Sequence, residues 1–215
     1  MGLEMSMVSR RTLGLIAITS VVYYILAVFA IHLLQPELNP LRVPMSAYVL
    51  GDYGQLMTTT YFVLCAGLLA LGYGLIKTLP RTRLIKLAFV VALIAVAGIF
   101  IAGIFPMEWP PPPRTTSGRL HGLGGMLAFS GMAFAPCLFS LNFRRDGHWR
   151  TVSNVALAIS ASIIVAFILF MFAVRGGFGG FAQRLFLALL FGWMIVVGLH
   201  LTRNPACHTK CLDDN

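Results

Sequence analysis

Residues 84–105 read LIKLAFVVALIAVAGIFIAGIF, a run of 22 residues whose only charge is Lys86. A soluble helix keeps a polar face toward water, and this run has none at any period. At 1.5 Å per residue it extends about 33 Å as a helix, enough to cross the hydrocarbon core of a bilayer. Working outward, five further stretches share this character: Leu13–Leu34, Tyr53–Ile76, Leu120–Leu141, Val152–Val174 and Leu185–Leu201. The expectation is an all-α, polytopic transmembrane bundle of six helices in a single domain, ending in a short tail over 202–215. Arg10 and Arg11 before the first run suggest a signal peptide, but the run is too long and no small-residue cleavage site follows.

Composition agrees, with 58% of the 215 residues hydrophobic and 11% charged. Ordinary globular chains carry roughly a quarter charged residues, so lipid rather than water is the expected solvent. The net charge of +9 does not point to nucleic acid, because no basic face interleaved with aromatics exists outside the apolar runs. It reads as a topology signal. One side of the expected bundle carries Arg10, Arg11, Lys77, Arg81, Arg83, Lys86, Arg144, Arg145, Arg150, Arg203 and Lys210; the other carries Arg42, Arg114, Arg119, Arg175 and Arg184. The richer side is expected to be cytoplasmic, with both termini there and the chain in a bacterial-type inner membrane.

Small residues at four-residue spacing mark expected helix contacts, since close backbone approach drives association in lipid. They are Ala66, Ala70 and Gly74, then Gly124 and Ala128, then Ser162 and Ala166. Cys65 and Cys137 lie in apolar runs and read as small buried hydrophobes. Cys207, His208 and Cys211 in the tail offer three possible metal ligands but lack a nearby fourth, so a loose tail is expected.

Chemistry, if present, is expected in the outer connections. The first contains Pro36, Pro40 and Pro44; the second contains Glu108, Trp109, the run Pro110 to Pro113, then Arg114, Arg119 and His121. Proline stiffens both, so they could gather His32, Glu37, Ser46, Tyr48, Asp52, Glu108, Arg119, His121, Arg175 and Arg184 at one end of the bundle. Each has a plain reading too. Asp52 with Gln55 fits a helix capping box. Trp109 and Tyr48 suit an interfacial belt, and terminal arginines snorkel to phosphates. His121 could simply pair with Glu108 or Asp52.

Three signatures carry a resemblance. They are Ser46-Ala-Tyr48-Val-Leu-Gly51-Asp-Tyr-Gly54; Gly103-Ile-Phe-Pro106 followed by an acid and Gly118 to His121; and Gly180-Phe-Ala-Gln183-Arg184. Together they resemble the bacterial and archaeal membrane family catalogued as domain of unknown function 998, over about Ser9 to Leu201. The family usually has Asp where Glu108 stands and often Glu where Gln183 stands. The resemblance implies a six-helix architecture and no activity.

Four functional classes follow from the residues. The first is a non-catalytic site for lipid headgroups, or for other membrane subunits, built from Arg119, Arg175 and Arg184 with Tyr48 and Trp109; forked guanidinium donors suit phosphate. The second is an intramembrane lipid hydrolase in which His121, oriented by Glu108 or Asp52, activates Ser46 or a water. Zinc is disfavoured there, because only two histidines lie on that side. The third is a haem or metal site at His32 and His121. The fourth, a transporter, has little support: the spans carry almost no ionisable residue at mid-depth. The lipid-binding class demands least, and no cofactor is strongly implied.

Overall fold

The computed structural model describes residues 2–110, 112, 114–174 and 176–203, with side chains from Arg10 onward. Among the described residues there are six α-helices and no strand: α1 (Gly2–Leu34), α2 (Gly54–Thr78), α3 (Arg83–Ile104), α4 (Thr116–Phe143), α5 (Ser153–Ala173) and α6 (Gly179–Thr202). All six are long and apolar enough to cross a membrane. Large hydrophobics such as Leu26, Phe29, Leu33 and Phe172 stand more than 60% exposed, as lipid-facing side chains do. The protein is a membrane-spanning helical bundle.

The helices pack in chain order, each against the next, and α6 closes the ring on α1. Connections therefore alternate between two faces. The described residues of 35–53, 105–115 and 174–178 form the loop face. Residues 79–82 and 144–152 form the basic face, where α1 begins and α6 ends.

The tightest seam joins α3 to α4. A Cβ on Gly98 would come 2.5 Å from the Gly124 carbonyl oxygen, and one on Gly131 would come 2.8 Å from the Ala95 amide nitrogen. Only hydrogen fits, so these glycines set the helix separation. Gly124 and Ala128 are buried in this seam, as their spacing suggests. The other two expected faces are shifted. On α2, Ala70 and Gly74 are buried with Gly67, while Ala66 is exposed. On α5, Ser162 is exposed and the inner face runs through Ser153, Ala156, Ser160, Ile163, Ala166 and Phe170. Mixed three- and four-residue steps follow the helical period of 3.6 and win over a strict four-residue row.

Helix starts also differ from expectation. Helix α4 begins at Thr116 because the Thr115 hydroxyl accepts from the Gly118 amide at 3.1 Å. Helix α6 begins at Gly179, which puts Gln183 and Arg184 on the helix instead of in a loop. Asp52 caps nothing. A 3-10 turn over Met45–Leu50 precedes α2, and the Gly54 amide donates to the Gly51 carbonyl at 2.9 Å, so a backbone turn replaces the expected capping box.

The first connection is fastened to α6. Gly180 lies against it so closely that a Cβ would come 2.6 Å from the Pro40 carbonyl oxygen. The Phe181 amide donates to the Leu41 carbonyl at 3.0 Å, and the Met45 amide to Gln183 Oε1 at 2.8 Å. Buried Gln35 donates from Nε2 to the Tyr48 carbonyl at 3.3 Å.

Candidate functional site

Arg184 is the centre of the loop-face polar cluster. The residue is half-buried, one turn into α6, and every acceptor it meets is neutral. Nη1 donates to the carbonyls of Val43 at 3.1 Å and Gly180 at 2.9 Å; Nη2 donates to His32 Nε2 at 2.8 Å and reaches the Tyr48 hydroxyl at 3.5 Å. The Tyr48 ring lies 5.8 Å from the guanidinium carbon. Nε is buried without a partner. Among the described residues no carboxylate is among the groups acting on Arg184, although Glu37 acts on its neighbour Tyr48, so the charge is solvated by dipoles.

The tautomer of His32 follows from its partners. Nδ1 stands 2.5 Å from the Val28 carbonyl, which can only accept, so Nδ1 carries the proton. Nε2 is then the acceptor for Arg184, and both ring nitrogens are engaged. Tyr48 is 1% exposed and donates its hydroxyl to the Leu38 carbonyl at 3.0 Å; burial lifts its phenol above the ordinary tyrosine range.

From this cluster a groove of about 570 Å³ runs between α1 and α6 toward mid-depth. Arg184 and His32 lie at its loop-face end. Ile25, Val28 and Phe29 form one wall, and Leu187, Ala188, Phe191, Gly192 and Ile195 the other. Nothing lies within 4 Å of a Cβ placed on Gly192, so this part of α6 has no helix packed on it. At the basic end the seam closes, where a Cβ on Gly14 would come 2.7 Å from the Gly198 carbonyl oxygen. The groove is the upper half of a seam that α1 and α6 share.

A second, smaller cavity of about 60 Å³ lies inside the ring and shares Tyr24 and Leu187 with the groove. Ser46, Tyr61, His121 and Gln183 supply its polar lining. His121 Nδ1 meets two carbonyls, Ala102 at 3.0 Å and Phe105 at 2.9 Å, which places the proton on Nδ1 and the lone pair on Nε2. The Tyr61 hydroxyl is buried with no hydrogen-bond partner, although Ser46 is close enough to act on it. Cavities with such lining are where buried water resides.

Several sequence expectations meet a different arrangement. Glu108 does not pair with His121. Its Oε2 accepts from the amides of Arg114 and Thr115, both at 2.8 Å, and from the Thr115 hydroxyl at 2.9 Å. The Thr115 amide is the main reason its carboxyl titrates below the usual range. Glu108 therefore clamps its own loop, because nearby donors satisfy it before a histidine can. Asp52 is exposed and is not part of either cavity. The hydrolase triad of hydroxyl, histidine and acid is thus not assembled, though Ser46 and His121 do share a cavity. His32 and His121 line separate cavities, and His32 has no nitrogen free for a metal. Among the described residues no three His, Cys, Asp or Glu gather. Of the expected phosphate ligands, Arg184 and Tyr48 meet, Arg119 stands exposed in the first turn of α4, and Trp109 is 40% exposed. Arg175 and the tail with Cys207, His208 and Cys211 lie outside the described residues.

Residues 17–200 match the family described as "Protein of unknown function (DUF998)". The chain belongs to that family. The match covers all of α2 to α5 and most of α1 and α6, so both the groove and the inner cavity fall inside the DUF998 region. No curated protein and no solved structure matches the chain. Sequence reasoning overlooked Tyr24, Tyr61 and Gln183 as site residues. Tyr24 was discoverable from its place on the buried α1 row of Ala17, Val21, Tyr24, Ala27 and Ile31. Gln183 had no signal beyond its departure from the usual family residue.

Proposed function

We propose that this DUF998 protein binds an amphipathic lipid with an anionic headgroup in the α1–α6 groove. The headgroup sits at Arg184 with His32 and Tyr48, and an acyl chain lies along Phe29, Ile25, Phe191 and Ile195. One observation carries this reading: an arginine without a carboxylate stands at the polar end of an apolar groove that no helix fills. A cation in that position attracts a phosphate or carboxylate from the headgroup layer, and the apolar walls favour a chain over water. The reading is of a binding site. The excess of Lys and Arg on the basic face supports reading that face as cytoplasmic, and on that reading the groove opens to the outer leaflet of a bacterial-type inner membrane.

The test is lipid retention by protein extracted into mild detergent and measured by native mass spectrometry. Wild type is expected to retain an anionic phospholipid, and Gly192→Leu, which fills the groove where there is space, is expected to lose it on the order of tenfold. Arg184→Met is expected to lose selectivity for anionic over zwitterionic lipid. Equal retention by all three proteins would overturn the assignment.

A further inference from the structure

We infer that the protein has a second anionic-lipid site, on the basic face, between the end of α2 and the start of α3. A groove of about 400 Å³ opens there, and its charged lining is entirely cationic: Lys77, Arg81 and Lys86. Tyr73, Ile76, Ile85 and Phe89 form the rest of it. No acidic residue occurs between Asp52 and Glu108, so none is contributed by α2, α3 or the turn joining them. Lys77 lies over the Tyr73 ring, with Nζ 5.3 Å from its centroid, which holds the ammonium at the groove rim.

The shape is as informative as the charge. A topology signal alone needs cations anywhere near the ends of the spans. Here three of them converge on one concave surface whose floor is aromatic and aliphatic. Such a surface matches a phosphate at its mouth and the first part of an acyl chain below it. Basic pockets between transmembrane helices are where anionic headgroups of the adjoining leaflet are held. The turn between α2 and α3 is well fixed for this purpose. Thr82 accepts from the Ile85 amide at 3.1 Å and donates to Asn142 Oδ1 at 2.8 Å, which ties the turn to α4. The occupant is an anionic phospholipid of the leaflet on that side.

This site is independent of the Arg184 groove, and the experiment separates them by making every comparison in an Arg184→Met background, where that groove has lost its preference for anionic lipid. The protein is reconstituted in nanodiscs of phosphatidylcholine containing a minor fraction of phosphatidylglycerol, and enrichment of phosphatidylglycerol around it is measured by native mass spectrometry. The triple variant Lys77→Ala, Arg81→Ala, Lys86→Ala is compared with a control triple on the same face, Arg144→Ala, Arg145→Ala, Arg150→Ala. The groove triple is expected to weaken enrichment about tenfold or more, whereas the control triple changes it by less than about threefold. Inorganic phosphate at millimolar concentration is expected to leave the enrichment unchanged; competition by it would mean that the site takes free phosphate and not a lipid. Equal losses in the two triples would reduce the cluster to general surface charge and overturn the inference. Melting temperatures of both triples distinguish lost binding from lost folding, and Lys77→Gln with Lys86→Gln provides a milder pair if the groove triple does not fold.

Discussion

The α3–α4 and α1–α6 seams use the same residue type to opposite ends. Along α3 and α4, glycine on one helix meets glycine or alanine backbone on the other, and the seam closes throughout. Along α1 and α6 the pairing holds only at Gly14 and Gly198. Farther up, Ala188 and Gly192 face Ile25 and Phe29, which do not fill the space, and a groove remains. Small residues therefore make either a contact or a hollow, and the partner strand of side chains decides which.

The largest expected effect is in the closed seam. Gly98→Leu must push against the backbone of α4, so we expect destabilisation on the order of 3 kcal/mol and a collapse of folded yield, read by thermal unfolding in detergent. By contrast, Gly192→Leu places the same side chain into open space and is expected to shift stability by less than about 1 kcal/mol while lowering lipid retention in the groove about tenfold. If the two substitutions cost the same, the distinction between the seams is wrong.

The loop face repeats the lesson with charge. Glu108 is at the surface and accepts three hydrogen bonds from its own loop, whereas Arg184 is half-buried and no carboxylate among the described residues acts on it. Arg184→Met is accordingly expected to change both lipid selectivity and stability, since two carbonyls and His32 lose their donor. Glu108→Gln is expected to do much less, and only to stability. The sign is fixed by the depressed carboxyl: its contribution is present above the unfolded value of about 4.5 and fades as pH falls through the lower folded value. Wild type and Glu108→Gln should therefore differ slightly in melting temperature near neutrality and converge once the pH has fallen below the lowered folded value. A difference that persists at low pH would show that the loop clamp does not depend on ionised Glu108.

The six spans were legible because lipid imposes length and apolarity on every one of them, a demand met residue by residue in stretches such as 84–105. The loop face was legible as a place and not as a geometry. His32, Tyr48 and Arg184 meet only because α6 closes the ring on α1, a contact between residues more than 130 positions apart that no local pattern encodes. The expected pairing of Glu108 with His121 assumed that a rigid loop presents its acid to the next helix. Arg114 and Thr115, six and seven residues on, offered backbone donors first. His121 turned instead to the carbonyls at the end of α3, which lack helical partners. Helix faces failed by one residue, at Ala66 and Ser162, because spacing alone does not say where a face drifts.

The most direct measurement is native mass spectrometry of the wild-type protein beside Arg184→Met and Gly192→Leu, each extracted from the same membranes. A half-buried cation heading an open groove predicts an anionic lipid held there by wild type, beyond any at the basic-face site, exchanged for zwitterionic lipid in the first variant and reduced about tenfold in the second. A wild-type protein that carries no anionic lipid, or variants that carry as much as it does, would contradict the account.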